Sequence, residues 1–399
     1  MKQILCESMR IKRHRNAIML RLSTIFLIIL VWSAVVLPLE PCAAGDEDVD
    51  PFDVYAVDGS GEQLLHITVR PSGNQVRVVK EGVLAMPGKP HGIARHPAKS
   101  SCIVTLLGKG TESPRAVTLV RGSDGKLSIA GITGLQDSTG YTSFDRTGGY
   151  FLTSSYHDGH CDVYQVKPDG VVGDRVSHQK VAEKYAHSVL TTPDNKFLYV
   201  PCVKEFNAIY QYSFDEKTGD VQPLEPFDAK PPHMFGPRHI AYHPDLPYVY
   251  FSNEQQLGVS AYHIAKDGQL AALQHATTIP RRSPYTAGVR GMHASDIAVT
   301  HDGKFLFLAL RDFVADEDSV FMFRVAEDGR LSLVSRKRVG DIPWCLRVSP
   351  SDSYLLVSES GDEALAVLPI QHDGSLGDAV RLEWGSAVRN MVIQPLSGK

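Results

Sequence analysis

Cysteine and tryptophan are scarce in this 399-residue chain, at six and three residues. Four cysteines lie beyond the N-terminal stretch, Cys102, Cys161, Cys202 and Cys345, and none forms a C-x-x-C pair. That spacing excludes a zinc ribbon or a disulfide framework, and three of the four sit in or beside strand-like runs where a small buried thiol is expected. Neither sign of charge dominates. With 41 Lys and Arg against 45 Asp and Glu, the formal net charge of -4 gives no pull toward nucleic acid or anionic lipid. There is no Gly-x-Ser-x-Gly elbow, no His-Glu-x-x-His and no Gly-rich phosphate loop, so serine-hydrolase, zincin and P-loop chemistry have no footing. No helical hydrophobic period of any length follows residue 50.

Long apolar runs are also missing, with one exception near the start. Lys2, Arg10, Lys12, Arg13, Arg15 and Arg21 face a single acid, Glu7, and the chain then runs apolar from Ile25 to Leu37. This run is shorter than the ~20 residues a spanning helix needs, and Cys42, Ala43 and Ala44 supply small residues for cleavage before Gly45. Residues 1–44 therefore read as a signal peptide, with a retained N-terminal membrane anchor as the alternative. Residues 45–50 read as an acidic, solvated spacer, and residues 51–399 as one domain. The expectation is an exported protein, periplasmic or extracellular, with no stable membrane insertion after cleavage.

What the chain does have is a repeat. An alternating apolar strand leads to a turn built on Pro, Asp, Asn or Gly, and a second strand follows. Taking Pro97, Arg146, Pro193, Pro244, His301, Pro350 and Pro395 as markers, the intervals run from roughly 45 to 57 residues, the scale of a propeller blade. Each unit holds four short strands, with glycine turns at 217–220, 266–269 and 327–330 leading to the outermost. Seven markers predict an all-β fold of seven four-stranded antiparallel blades. Val54–Val57 precedes the first marker and Met391–Ile393 has no partner in its own segment, so the two ends are expected to close one blade together.

Equivalent positions of a propeller repeat lie on one circle about the axis. The residues opening each innermost strand, His91, Tyr141, His187, Arg238 with His239, His293 to Ser295, Trp344 and Arg389, should ring one mouth of the channel. The second strands return to that mouth and should bring Lys204, Glu254, Arg311 and Glu359 near it. Such a ring is costly unless solvated or functional. A duller reading exists for each member: His187 bonding a neighbouring blade, Glu254 and Arg311 as a structural ion pair, Arg238 as a loop cap. Arg281 and Arg282 read as a solvated loop rather than a substrate clamp.

The phrase Gly236-Pro237-Arg238-His239-Ile240-Ala241-Tyr242-His243-Pro244, followed by Tyr248 to Glu254, resembles the lactonase-type seven-bladed propellers, the family of bacterial 6-phosphogluconolactonase and fungal carboxymuconate cyclase. The stretches Ala186 to Pro201 and Ala294 to Arg311 are similar to the same family. The resemblance extends from about Val54 to about Pro395 and implies a catalytic set of His187, Arg238, Glu254 and Arg311. His91, Tyr141, His239 and His293 are the candidate substrate-binding residues. Two positions depart from the pattern: Cys202, where many members carry an acid, and Pro343-Trp344 in place of Pro-Arg.

That set suits lactone opening, which needs an activated water and a cradle for the developing oxyanion. Glu254 or His187 could take the water's proton, and Arg238 or Arg311 could hold the oxyanion or a substrate phosphate or carboxylate through its planar fork. The scheme calls for no metal and no cofactor. The partner it implies is a small-molecule lactone, and calcium-dependent gluconolactonase chemistry fits poorly because the mouth is mixed rather than acidic. A carboxymuconate-type cyclase and a non-catalytic ligand- or protein-binding propeller of the cell envelope are the competing readings.

Overall fold

Two short segments far apart in the sequence complete one sheet. Met391–Pro395 lies antiparallel to Phe52–Val57, pairing Met391 with Ala56 and Ile393 with Val54, and becomes the innermost strand of blade 1. The computed structural model describes residues 51–396 except 73–74, 109–111 and 279–290. The expected signal peptide, the spacer, and Arg281 with Arg282 lie outside the described residues.

Six further four-stranded antiparallel sheets follow in chain order, giving seven blades as the repeat predicts. Blade 2 covers residues 90–134, blade 3 141–180, blade 4 190–229, blade 5 237–277, blade 6 292–338 and blade 7 343–383. No helix occurs among the described residues. The second strand of each blade is covered on both faces by its neighbours, so it reads as a continuous apolar run. Phe305–Asp312 of blade 6 is buried at every position.

The outer hairpins need glycine for a physical reason. Gly268 and Gly329 hold φ of +85° and +78°. A Cβ on either would collide with the ring of Phe197 or Tyr248 in the preceding blade. All four described cysteines are free and buried. Cys202 packs with Ala186, Leu198 and Val200 in the layer between blades 3 and 4, so that departure from the family pattern does not face the channel.

The innermost strands carry a shared irregularity that aims side chains at the axis. Register breaks fall between Pro90 and Gly92, Pro237 and Ile240, Ala294 and Ile297, and Pro343 and Cys345. The residues inside these breaks are His91, Arg238 with His239, Ser295 with Asp296, and Trp344. Such bulges re-aim side chains and leave backbone groups without ladder partners. A hydroxyl from the second strand supplies the missing acceptor: Thr105 for the N–H of Gly92, Ser252 for His239, Ser358 for Cys345, all at 3.0–3.1 Å.

Candidate active site

The re-aimed side chains line a cavity of about 300 Å³. Arg389 and Asn390 come from the approach to blade 1, His91 from blade 2, Gly140, Tyr141, Tyr156 and His157 from blade 3, and His187 from the entry to blade 4. Arg238, His239 and Glu254 come from blade 5, Arg311 from blade 6 and Trp344 from blade 7. Every blade contributes.

Glu254 is the hub. It follows directly after the second strand of blade 5, Tyr248–Asn253, and its N–H donates to the carbonyl of Gly236 at 2.8 Å while its carbonyl accepts from Ala294 N at 3.2 Å. Its Oε2 lies 3.2 Å from Arg238 Nε and 3.9 Å from His187 Nε2; its Oε1 lies 3.5 Å from His293 Nδ1 and 3.7 Å from Arg311 Nη2. Glu254, Arg238 and Arg311 are all buried. Yet Arg238 Nε, Arg311 Nε and Nη1, His187 Nδ1 and His293 Nδ1 make no hydrogen bond. These groups are gathered at ion-pair distance without closing into a saturated network.

Burial sets the protonation states. It pushes His187 well below the ordinary imidazole range, helped by Arg238, His239 and Arg311. His239 falls to about 4 for the same first reason, with Arg238 adding to it. His293 and His91 are lowered too. These imidazoles are neutral at neutral pH, so the fixed charges of the wall are Arg238, Arg311 and Arg389 against the single carboxylate of Glu254. Burial next to Arg238 brings Arg311 down to about 9, which still leaves it charged. Two of these cations approach the Trp344 ring, with the guanidinium carbons of Arg311 and Arg389 at 4.0 and 4.4 Å from its centroid.

The structure brings His187, Arg238, Glu254 and Arg311 together, and adds His91, Tyr141 and His239 to the same wall. His293 touches Glu254 but is not among the residues lining the cavity. Glu359 does not reach the mouth: its carboxylate is fully buried against the Nε and Nη2 of Arg381, at 2.8 and 3.1 Å, and takes the Gly340 N–H. Lys204 turns onto the rings of Tyr185 and Tyr156, at 4.4 and 5.5 Å. Tyr156, His157, Gly140 and Asn390 were missed. Tyr156 follows its second strand, Tyr150–Ser154, just as Lys204 follows Phe197–Cys202, so the same register applied to blade 3 would have found it.

Outside the cavity, donor atoms of Asp137, His160 and Asp162 lie within 4.8 Å of one another. Arg175 Nη1 contacts both carboxylates there, and His178 Nδ1 sits 2.6 Å from Asp162, so the group is held as an ion-pair network.

Residues 54–390 match the family described as Lactonase, 7-bladed beta-propeller. A 6-phosphogluconolactonase of Cronobacter sakazakii is 26% identical over 325 residues, covering 81% of this chain and 92% of the relative. One from Yersinia pestis is 30% identical over 258 residues, 63% of this chain and 73% of the relative. Among solved structures, a periplasmic gluconolactonase of Pseudomonas aeruginosa superposes with a TM-score of 0.76 at 21% identity, over 87% of this chain and all of that one. A Lactobacillus plantarum protein follows at 0.75 and 18% identity, over 86% of this chain and 99% of that one. At these identities the two structures speak to the fold.

Proposed function

The chain belongs to the lactonase family of seven-bladed β-propellers, and from that premise we propose that it hydrolyses a sugar lactone bearing an anionic group. The observation that carries the reading is Glu254, set within 3.2–3.9 Å of Arg238, Arg311, His187 and His293 beside a cavity of ligand size. In this reading Glu254 takes the proton of a water held between its Oε2 and His187 Nε2. The water oxygen attacks the lactone carbonyl, and the carbonyl electrons move onto oxygen, where Arg238 and Arg311 stabilise the charge. As the tetrahedral adduct collapses, the ring C–O bond breaks and Glu254 returns the proton to the leaving oxygen. The product is the open hydroxy acid, and no outside oxidant or co-reactant is consumed.

Three guanidiniums against one carboxylate leave the wall with a surplus of positive charge, which favours a phosphate or carboxylate on the substrate. The named relatives in enterobacteria are 6-phosphogluconolactonases, and the similar P. aeruginosa structure is a periplasmic gluconolactonase. The basic stretch and short apolar run before Gly45 read as an export signal, and on that reading a carboxylated lactone is favoured over the phosphorylated one. No described helix is long and apolar enough to cross a membrane.

The test is turnover by the purified protein of neutral, carboxylated and phosphorylated sugar lactones, corrected for spontaneous opening. Faster opening of the anionic lactones supports the reading. Failure to open any lactone, with tight binding of an anionic one, would favour the ligand-binding propeller. Ring closure of a muconate-type acid without lactone hydrolysis would favour the cyclase.

A further inference from the structure

Asp296 occupies the register break in the innermost strand of blade 6 and spends its carboxylate on three blades. Its Oδ1 accepts from His239 Nδ1 of blade 5 at 2.7 Å and from its neighbour Ile297 N at 3.0 Å. Its Oδ2 accepts from Leu346 N and Arg347 Nη1 of blade 7, at 2.9 and 3.0 Å. The other ring nitrogen of His239, Nε2, lies 3.1 Å from Arg238 Nη1, which also donates to Ser295 O at 2.7 Å. Arg238 Nε then faces Glu254.

This chain of contacts admits one arrangement of protons. A guanidinium only donates and an ionised carboxylate only accepts, so the imidazole between them must carry its proton on Nδ1 and present a bare Nε2. With the proton on Nε2, two N–H groups would face each other across 3.1 Å and two acceptors would face each other across 2.7 Å. Buried Asp296 and half-buried Arg347 also line a separate cavity of about 520 Å³ with Arg146 and Tyr242, while Arg238 and Glu254 line the first, so the chain runs between the two.

We infer that Asp296 is a positioning residue: by fixing the tautomer of His239 it makes that imidazole an acceptor which holds Arg238 against Glu254. His239 then serves the site through Arg238 rather than by binding substrate with a ring nitrogen, since both nitrogens are engaged. The inference rests on the proposed lactone opening only for its kinetic consequence. Its structural content, the tautomer, stands apart from any activity.

Two measurements test it. In nitrogen NMR of the folded wild type near pH 7, His239 should show a protonated Nδ1 and an unprotonated Nε2, undisturbed by its other neighbours Tyr141, His187 and Arg347. Finding the proton on Nε2, or on both nitrogens, overturns the inference whatever the protein catalyses, and needs no variant. Asp296→Asn can instead offer N–H to Nδ1, so the His239 proton should move to Nε2 and kcat should fall by about 10- to 100-fold, more than KM changes. A folded Asp296→Asn with the wild-type tautomer and wild-type kcat contradicts it. Should Asp296→Asn fail to fold, the wild-type spectrum still decides. Should the wild type open no lactone, the functional reading fails while the tautomer result still stands or falls alone.

Discussion

His187 Nε2 and Glu254 Oε2 stand 3.9 Å apart, too far for a hydrogen bond between them and close enough for one water to touch both. Burial beside Arg238 and Arg311 keeps that imidazole neutral far below pH 6.5. Lactone opening should therefore show no acid limb from His187 between about pH 8 and 6. The check is kcat/KM against pH in the wild type and in His157→Gln; an acid limb centred near 6.5 that survives the substitution would contradict the neutral His187. His187→Gln should lower kcat by about 10²-fold through loss of the water's second contact.

Arg389 lies at the exposed side of the cavity on Trp344, with no ion pair among the described residues. Arg389→Ala should raise KM for an anionic lactone by about tenfold, the size of one lost charge-assisted contact, and leave a neutral lactone nearly unaffected. Equal effects on both substrates would remove Arg389 from substrate recognition.

Stability should fall as pH drops from about 6.5 toward 4. His91, His187, His239 and His293 all have folded-state values below the ordinary one, His239 at about 4, so in this window the unfolded chain binds protons that the folded protein refuses. Each refused proton withdraws about 1.4 kcal/mol per pH unit. His301, raised by Asp352, and Asp318, raised by burial to about 6, act in the opposite direction but are fewer. Lowered aspartates such as Asp296 lose their contribution only below about pH 3.8. Thermal melting at pH 7, 6 and 5 should show a falling midpoint; a constant or rising one contradicts the buried neutral imidazoles.

Deleting residues 391–399 removes the innermost strand of blade 1, with buried Met391 and Val392. Burial of two such side chains is worth about 1.5–3 kcal/mol each, before the ladder hydrogen bonds are counted. The truncated protein should lose more than about 3 kcal/mol in denaturant unfolding, and an unchanged midpoint would show that the ends do not close the ring.

The repeat made most of this legible. Because one register places equivalent residues on one circle, His91, Tyr141, His187, Arg238, His239, Trp344 and Arg389 could be assigned to the mouth from sequence, and all line the cavity. The second-strand ends were half right. Strand position brings Glu359 to the correct level, but its carboxylate follows Arg381 of the outer strand instead, a choice of side-chain direction that spacing does not encode. Asp296 escaped for a related reason. In a regular strand alternate residues share a face, whereas the bulge at Ser295 and Asp296 lets neighbours turn toward different partners, and bulges leave no mark on hydrophobic alternation. The approach of Arg311 and Arg389 to the Trp344 ring was equally hidden, although its departure from the family's Pro-Arg pattern marked the position.

The most direct test of the whole account is the steady-state opening of an anionic sugar lactone by the purified protein and by its Glu254→Gln variant, each corrected for spontaneous hydrolysis. This substitution keeps the shape of the side chain while removing the proton acceptor at the centre of Arg238, Arg311, His187 and His293. The account predicts turnover by the wild type and a loss of about 10²-fold or more in kcat for Glu254→Gln, with the variant folded. Equal turnover by the two folded proteins would contradict it.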